Sequence, residues 1–369
     1  MPRRRARHRG WLRSLTHGVA AWLVLSGAVV GLSGLRALAD AKHLIQEPDP
    51  TIPRVQLSAT TITSWKTFPS YSNAIPVLMY HAVGAHGKTP ATIHLNVSRR
   101  MFAMQMRALY VGGFHAITLR QYVDWYNSWR AGKGSTVSLP TKPILITFDD
   151  GRVDAYRAAA AILRHYHFHA ADLVVPGWVA SHPRFELQWN TMRRMEQVKT
   201  FTIQEHFGFG TEGVPVNAKG EMAGRFGHPQ YFPGSHGRPG HVESLQQFFR
   251  AFHYNMEWGE QQLKNEVPGF QHLAMALPES DYGQAVPSDP EISGHVLGWL
   301  NAHYTVVFDG DYLYGGDGGS LASARLTKQV VYRIKMESQL SLGGLRCRLY
   351  DFVTHAPIWM EYRCKRMRT

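Results

Sequence analysis

The chain has 369 residues, of which 44% are hydrophobic, and a formal net charge of +13. That length accommodates one α/β barrel with short flanking segments. The basic balance draws the protein toward an anionic wall polymer or a membrane surface. No zinc-finger spacing, aromatic RNA-binding signature or basic helical repeat accompanies it, which excludes nucleic acid as the expected partner.

At the N-terminus, Arg3, Arg4, Arg5, Arg7, Arg9 and Arg13 precede an uncharged, largely apolar run over 18–35, and Ala37-Leu38-Ala39 follows before Asp40. A basic cluster, an apolar run and a small-residue pattern in that order read as an export segment. The run sits near the lower limit for spanning a bilayer, so residues 1–39 are either a cleaved signal peptide or a membrane anchor. Both place the rest of the chain outside the cytoplasm, secreted or anchored. Residues 40–73 carry Pro, Ser and Thr without sustained periodicity, which predicts a linker.

A folded domain is expected over 74–340. Apolar β-type runs fall at 76–79, 144–148, 172–175, 201–204, 273–277, 304–308 and 330–334. Helix-like segments at 101–111, 154–166, 189–198, 245–264 and 292–302 lie between many of them. This alternation predicts a parallel sheet, open or closed into a barrel, with the reacting groups where strands end and loops begin. The glycine-rich stretch 308–320 reads as a loop, and 341–369 as a basic C-terminal extension. Cys347 and Cys364 are the only cysteines; outside the cytoplasm they either bridge or stay as two thiols.

The sharpest chemical feature is Ile144-Leu145-Ile146-Thr147-Phe148-Asp149-Asp150-Gly151, a buried-type strand that ends in two adjacent carboxylates. Two anions side by side repel, and both ionise most easily when a cation sits beside them. One carboxylate can then be a metal ligand while its neighbour acts as general base for metal-bound water. The same residues alone also read as a turn and helix cap. His165, His167 and His169 cluster at the end of a predicted helix and read as solvated imidazoles.

Several motifs occur together in order: Ile75-Pro76-Val77-Leu78-Met79-Tyr80-His81, then Phe102 with Met106, Leu109 and Gly113-Phe114, then Leu139-Pro140, the Asp149-Asp150-Gly151 turn, and Trp189-Asn190-Thr191-Met192. In this the chain resembles the polysaccharide deacetylases of carbohydrate esterase family four, over about 75–336 and most closely up to Trp189. The resemblance implies a distorted, incomplete (β/α) barrel and metal-dependent removal of N-acetyl groups from an amino-sugar polymer. It matches Asp149 to the catalytic base and Asp150 to the carboxylate ligand of a divalent metal, zinc above all. His206 matches the first histidine of the paired-histidine motif. It also brings His81, Pro278 and Arg333 to the substrate groove.

The chain departs from that pattern at the second histidine, where Gly210 and Thr211 stand, and at Glu205, which occupies a position usually held by serine. A catalytic zinc calls for three protein ligands. Three readings follow: His228, His236 or His241 folds back to complete the set; Glu205 or Glu212 supplies an oxygen; or the site is degenerate and the protein is a glycan-binding pseudoenzyme. No Leu-x-His motif for the general acid is evident, and His355 lies beyond the strand where that acid belongs.

Overall fold

A computed structural model of the chain describes residues 45–71, 75–85, 94–133, 137–182, 184–209, 213–235, 238–284, 289–310, 330–354 and 364. The export segment expected at 1–39, His236, Glu212, His355 and most of the glycine-rich stretch lie outside the described residues.

Nine parallel strands form the main sheet: β1 (Val77–Tyr80), β2 (His115–Ala116), β3 (Pro143–Asp150), β4 (Ala170–Val174), β5 (Phe201–Glu205), β6 (Ala274–Ala276), β7 (Val306–Asp309), β8 (Val331–Tyr332) and β9 (Ile334–Lys335). Their order is β8-β7-β6-β5-β4-β3-β1-β9, with β2 beside β3. The two ends of this row, β8 and β9, are separated in sequence only by Arg333. β8 pairs with β7 through Asp309↔Tyr332, and β9 pairs with β1 through Leu78↔Ile334. One short segment therefore shuts the sheet into a barrel, and Arg333 stands at the seam.

The helices are α1 (Ala59–Lys66), α2 (Arg99–Val111), α3 (Leu119–Arg130), α4 (Val153–His165), α5 (Pro176–Ser181), α6 (Trp189–Gln197), α7 (Leu245–Glu266), α8 (Pro290–His303) and α9 (Leu342–Val353). Period-2 alternation sorts the strands: Ile146, Phe148, Phe201 and Ile203 pack with the helices of one cluster, while Val77, Leu145, Ala171, Leu173 and Phe308 form another. The barrel-type fold is the one expected, and all seven anticipated strand runs form. The α3 helix was not anticipated. Its sequence LRQYVDWYNSWR is rich in aromatic residues, but Thr118 and Gln121 cap it reciprocally, and it buries Leu119, Tyr122, Val123, Trp125 and Tyr126.

Two domain boundaries differ from expectation. The segment expected as a linker over 40–73 is, over its described part, integral to the fold. Gln46 is buried, its backbone N–H donating to Thr191 Oγ1 at 2.8 Å and its side-chain amide donating to the Glu186 carbonyl at 2.9 Å. Trp65 and Phe68 pack on Phe114 with ring centroids 5.9 and 4.9 Å apart. Burying side chains of this size contributes about 2–3 kcal/mol each. The expected C-terminal extension is likewise core: α9 buries Leu342, Leu345, Leu349 and Phe352, and Cys347 is bridged to Cys364. Between β5 and α7, short antiparallel ribbons pair Gly213–Pro215 with Met222–Gly224 and Tyr231–Phe232 with His241–Val242.

Candidate active site

The β3 strand delivers Asp149 and Asp150 to the barrel mouth. Asp149 is in register with Leu173, whose side chain lies in the cluster of Val77, Leu145 and Phe308. Asp150 and Gly151 both adopt the left-handed backbone region, with φ of 76° and 71°. An aspartate tolerates that conformation better than most residues but still under strain. The turn leaves Asp150 Oδ1 3.7 Å from His206 Nε2, with the Asp150 side chain partly exposed.

Asp149 is buried and gripped end-on by Arg333, whose Nη1 and Nη2 donate to Oδ1 and Oδ2 at 2.6 and 2.7 Å. The same guanidinium donates through Nη1 to Thr147 Oγ1 at 3.2 Å and through Nε to the Asp309 carbonyl at 3.1 Å. Burial alone would raise the Asp149 pKa, but the Arg333 charge, followed by His206 and His81, outweighs it and holds the carboxyl below the usual range. Asp149 is an anion at neutral pH, fixed in orientation by a planar fork.

His206 closes β5. Its Nδ1 donates to the Ala276 carbonyl at 2.8 Å, which fixes the tautomer and leaves the Nε2 lone pair turned toward Asp150. His81, just beyond β1, places Nε2 3.9 Å from Asp149 Oδ2. Burial lowers its pKa, and Arg333 and His206 reinforce that shift against the opposing pull of Asp150 and Asp149. It is therefore a neutral imidazole at pH 7. Its Nδ1 is buried and has no hydrogen-bond partner among the described residues.

The other residues singled out from the sequence fall elsewhere. His228 is buried, with Nδ1 3.0 Å from Asp281 Oδ2 and 3.2 Å from the Gly224 carbonyl, so it belongs to the turn after β6 and not to Asp150. His241 is exposed in its ribbon, its ring against Phe232. Neither completes a ligand set. Glu205 points away from His206, as successive strand residues must: Oε2 accepts from Tyr304 Oη at 2.6 Å, and Oε1 crowds the Gly259 position of α7. Burial pushes its pKa up to about 8, against the lowering effect of the Tyr304 bond. Pro278 is buried at the start of the turn after β6. Arg333, expected in the substrate groove, has a fully buried side chain and contacts Asp149 instead, because the closing strand carries it inside the barrel.

Two carboxyl groups near the pair were not anticipated. Glu186 is buried, and burial together with Asp150 pushes its pKa up to about 8. Asp172, in the middle of β4, is buried with no hydrogen-bond partner for either oxygen among the described residues; burial, then Asp149, Glu186 and Asp150, raise its pKa well above the carboxylate range. A lone acid inside Ala170-Ala171-Asp172-Leu173-Val174 is the sequence signal that points to it.

Asp150 and His206 suit a divalent metal as a pair of donors, one anionic oxygen and one imidazole nitrogen of fixed tautomer. Among the described residues no further His, Cys, Asp or Glu joins them as a third ligand, since the sole group of three found is Cys347, Asp351 and Cys364, two of which are bridged to each other.

The site is thus a parallel barrel whose mouth carries two carboxylates, Asp149 and Asp150, and two imidazoles, His81 and His206. Residues 136–207 match the family model described as polysaccharide deacetylase, and Asp149, Asp150 and His206 fall within the matched segment. Among solved structures, a de-N-acetylase from Aggregatibacter actinomycetemcomitans is 19% identical with a TM-score of 0.54, over 72% of this chain and 95% of its own. The BpsB deacetylase domain from Bordetella bronchiseptica is 17% identical with a TM-score of 0.53, over 71% of this chain and 96% of its own. At these identities the likeness is one of fold. No curated protein sequence matches the chain.

Proposed function

We propose that the protein hydrolyses N-acetyl groups on an extracytoplasmic amino-sugar polymer, using a divalent metal, zinc by preference, held by Asp150 and His206. The observation that carries this reading is the junction of four elements at one barrel mouth, where Asp149 is kept anionic by Arg333 and lies beside His81, with Asp150 facing His206. A divalent cation bound by Asp150 and His206 would polarise the acetyl carbonyl and lower the pKa of water. Asp149 has lone pairs left beyond its two bonds from Arg333 and can accept the proton of the attacking water. His81 stands next to Asp149 and, as a neutral imidazole of lowered pKa, can take that proton and release it readily to the leaving amine. This gives His81 the acid role for which the sequence offered no later histidine.

The arginine-rich N-terminus with its apolar run over 18–35 supports export, and the Cys347–Cys364 bridge is consistent with an oxidising compartment. The basic charge suits an anionic wall or membrane surface around the polymer.

A test is acetate release from oligomers of N-acetylglucosamine by the full-length protein supplied with zinc. Release that disappears in Asp149→Asn, with zinc content retained, supports the assignment; zinc content unchanged in both Asp150→Ala and His206→Ala refutes the ligand pair. The lack of a third ligand among the described residues favours a second reading, a glycan-binding barrel without turnover. Oligomer binding with no acetate release at any zinc concentration selects that reading.

A further inference from the structure

The loop after β5 brings an aromatic ring out to solvent. Phe207 turns inward and packs on Phe226 with centroids 5.0 Å apart, whereas Phe209 is 41% exposed. Phe209 lies on Trp258 of α7, centroids 4.4 Å apart and planes at 26°, and beside Tyr254 at 5.9 Å and 33°. Tyr254, one helical turn before Trp258, is 63% exposed. A single exposed ring is ordinary on a protein surface, but three joined from two elements form a patch of the kind that marks a binding site.

The patch is rigid and close to the barrel mouth. Asn255 Oδ1 accepts from the backbone N–H groups of Gly208 and Phe209 at 2.9 and 3.3 Å, and the Gly177 N–H of α5 donates to the Gly208 carbonyl at 2.7 Å. The loop sits so tightly between α5 and α7 that a Cβ on Gly208 would meet the Asn255 carbonyl oxygen at 2.1 Å, and one on Gly177 would meet the Gly208 carbonyl oxygen at 2.7 Å. Rings held this way lose little freedom when a ligand settles on them. Phe209 follows His206 by three residues, so at most about 11 Å separates their Cα atoms.

Charge and area narrow the occupant. One turn from Tyr254 along α7 stand Arg250 and Glu257, both exposed and opposite in sign, so the patch carries no net charge. A helix that lies on anionic lipid shows an excess of lysine and arginine beside its aromatic residues, and here the arginine is matched by the glutamate. Three rings of about 150–250 Å² each, partly covered by one another, fall short of the roughly 800 Å² per partner that a stable dimer buries. A sugar ring meets both limits, because it is uncharged and carries C–H bonds on its faces with hydroxyl groups at its edge. We propose that Phe209, Tyr254 and Trp258 form a stacking platform for an N-acetylated sugar unit of the polymer, set beside the unit at the barrel mouth. The platform rests on the reading that the mouth takes an amino-sugar polymer, and it adds a preference for long oligomers over short ones.

The test is a calorimetric titration with the pentamer and the dimer of N-acetylglucosamine, on full-length protein carrying Asp149→Asn so that turnover does not consume the probe. Adding Tyr254→Ala or Phe209→Ala should weaken pentamer binding by roughly 3- to 10-fold, the scale of one lost ring contact, and dimer binding by less. Adding Tyr254→Phe, which keeps the ring and drops the hydroxyl, should leave pentamer binding as it was. Pentamer affinity unchanged in both alanine variants, or no pentamer binding at all, overturns the platform. So does a dimer loss as large as the pentamer loss, which would place the effect at the barrel mouth. Sedimentation showing a dimer that Tyr254→Ala converts to monomer would assign the patch to a second copy. Co-sedimentation with phosphatidylglycerol vesicles that is lost in the same variant would assign it to lipid, and either result replaces the sugar. Acetate release by protein with Asp149 intact is scored separately: pentamer binding that depends on Tyr254 with no release refutes hydrolysis and leaves the platform standing.

Discussion

The two halves of the barrel solve the placement of charge differently. From β1 to β5, acids and imidazoles are set at strand ends by local sequence, with Asp149, Asp150, His81 and His206 each within a residue or two of an apolar run. From β6 to β9 the charges mostly serve each other: Asp281 faces His228, Glu205 of the first half is drawn into a bond with Tyr304, and Arg333 reaches back to Asp149. The first half supplies the carboxylates and imidazoles of the barrel mouth, and the second supplies the restraints on them. A reactive group written in one strand can still depend on a partner more than a hundred residues away.

That division is broken most severely at Arg333. Arg333→Met should destabilise the fold by about 3–5 kcal/mol, because it strands a buried carboxylate, and denaturant unfolding reads the loss. Adding Asp149→Asn should recover much of it, and full additivity of the two changes would show that the pair is not coupled. Asp149→Asn alone should fold and lose acetate release by roughly 100-fold or more, as removal of a general base does. An asparagine variant that retains full turnover would move the base elsewhere.

The C-terminal bridge gives a smaller effect. Cys347→Ser with Cys364→Ser should cost about 3 kcal/mol for a loop whose ends are 17 residues apart. Acetate release per folded molecule should not change, since Asp149 is held by Arg333 and His81, and the bridge contacts Asp351. The smallest effect is a pH dependence. Glu205 has its folded pKa raised from 4.5 to about 8, so the folded state holds a proton that the unfolded state has lost. The native state is thus favoured at low pH, and that stability falls as pH rises from about 4.5 to about 8. Glu205→Gln keeps an acceptor for Tyr304 and has nothing to titrate. Its melting temperature should match the parent near pH 4.5 and exceed it by a few degrees near pH 8.5; identical curves at both would place the ionised Glu205 in contact with water.

What the sequence disclosed follows the range of each interaction. Strands such as 144–148 and 201–204 are legible because their apolar runs are bounded by polar turns, and Asp149 and Asp150 announce themselves as adjacent charges. Helix α3 was hidden by aromatic spacing that reads poorly against a simple apolar stripe. Trp65 and α9 were hidden for another reason: a single tryptophan between polar residues, or a glycine pair within Leu342–Val353, signals burial only when the surface that receives it is known. The same holds for Arg333, whose partner is decided by how the sheet closes. His228 illustrates the converse, a residue of the right type whose nearest acid, Asp281, claims it first.

The seam between β8 and β9 also sets an order of events. A ribosome releases β1 and β3 long before it reaches residue 333, so the growing chain carries Asp149 through most of its synthesis with no guanidinium to meet it. The strand that must sit beside β1 is the last of the barrel to emerge, a contact between Leu78 and Ile334 that spans nearly the whole fold. Such distant pairings are slow to form. Until they do, Asp149 is an ordinary hydrated carboxylate, so its fixed orientation comes into being only with the completed barrel. A chain cut short of residue 333 would thus lack the guanidinium that orients Asp149 as well as the strand that closes its barrel.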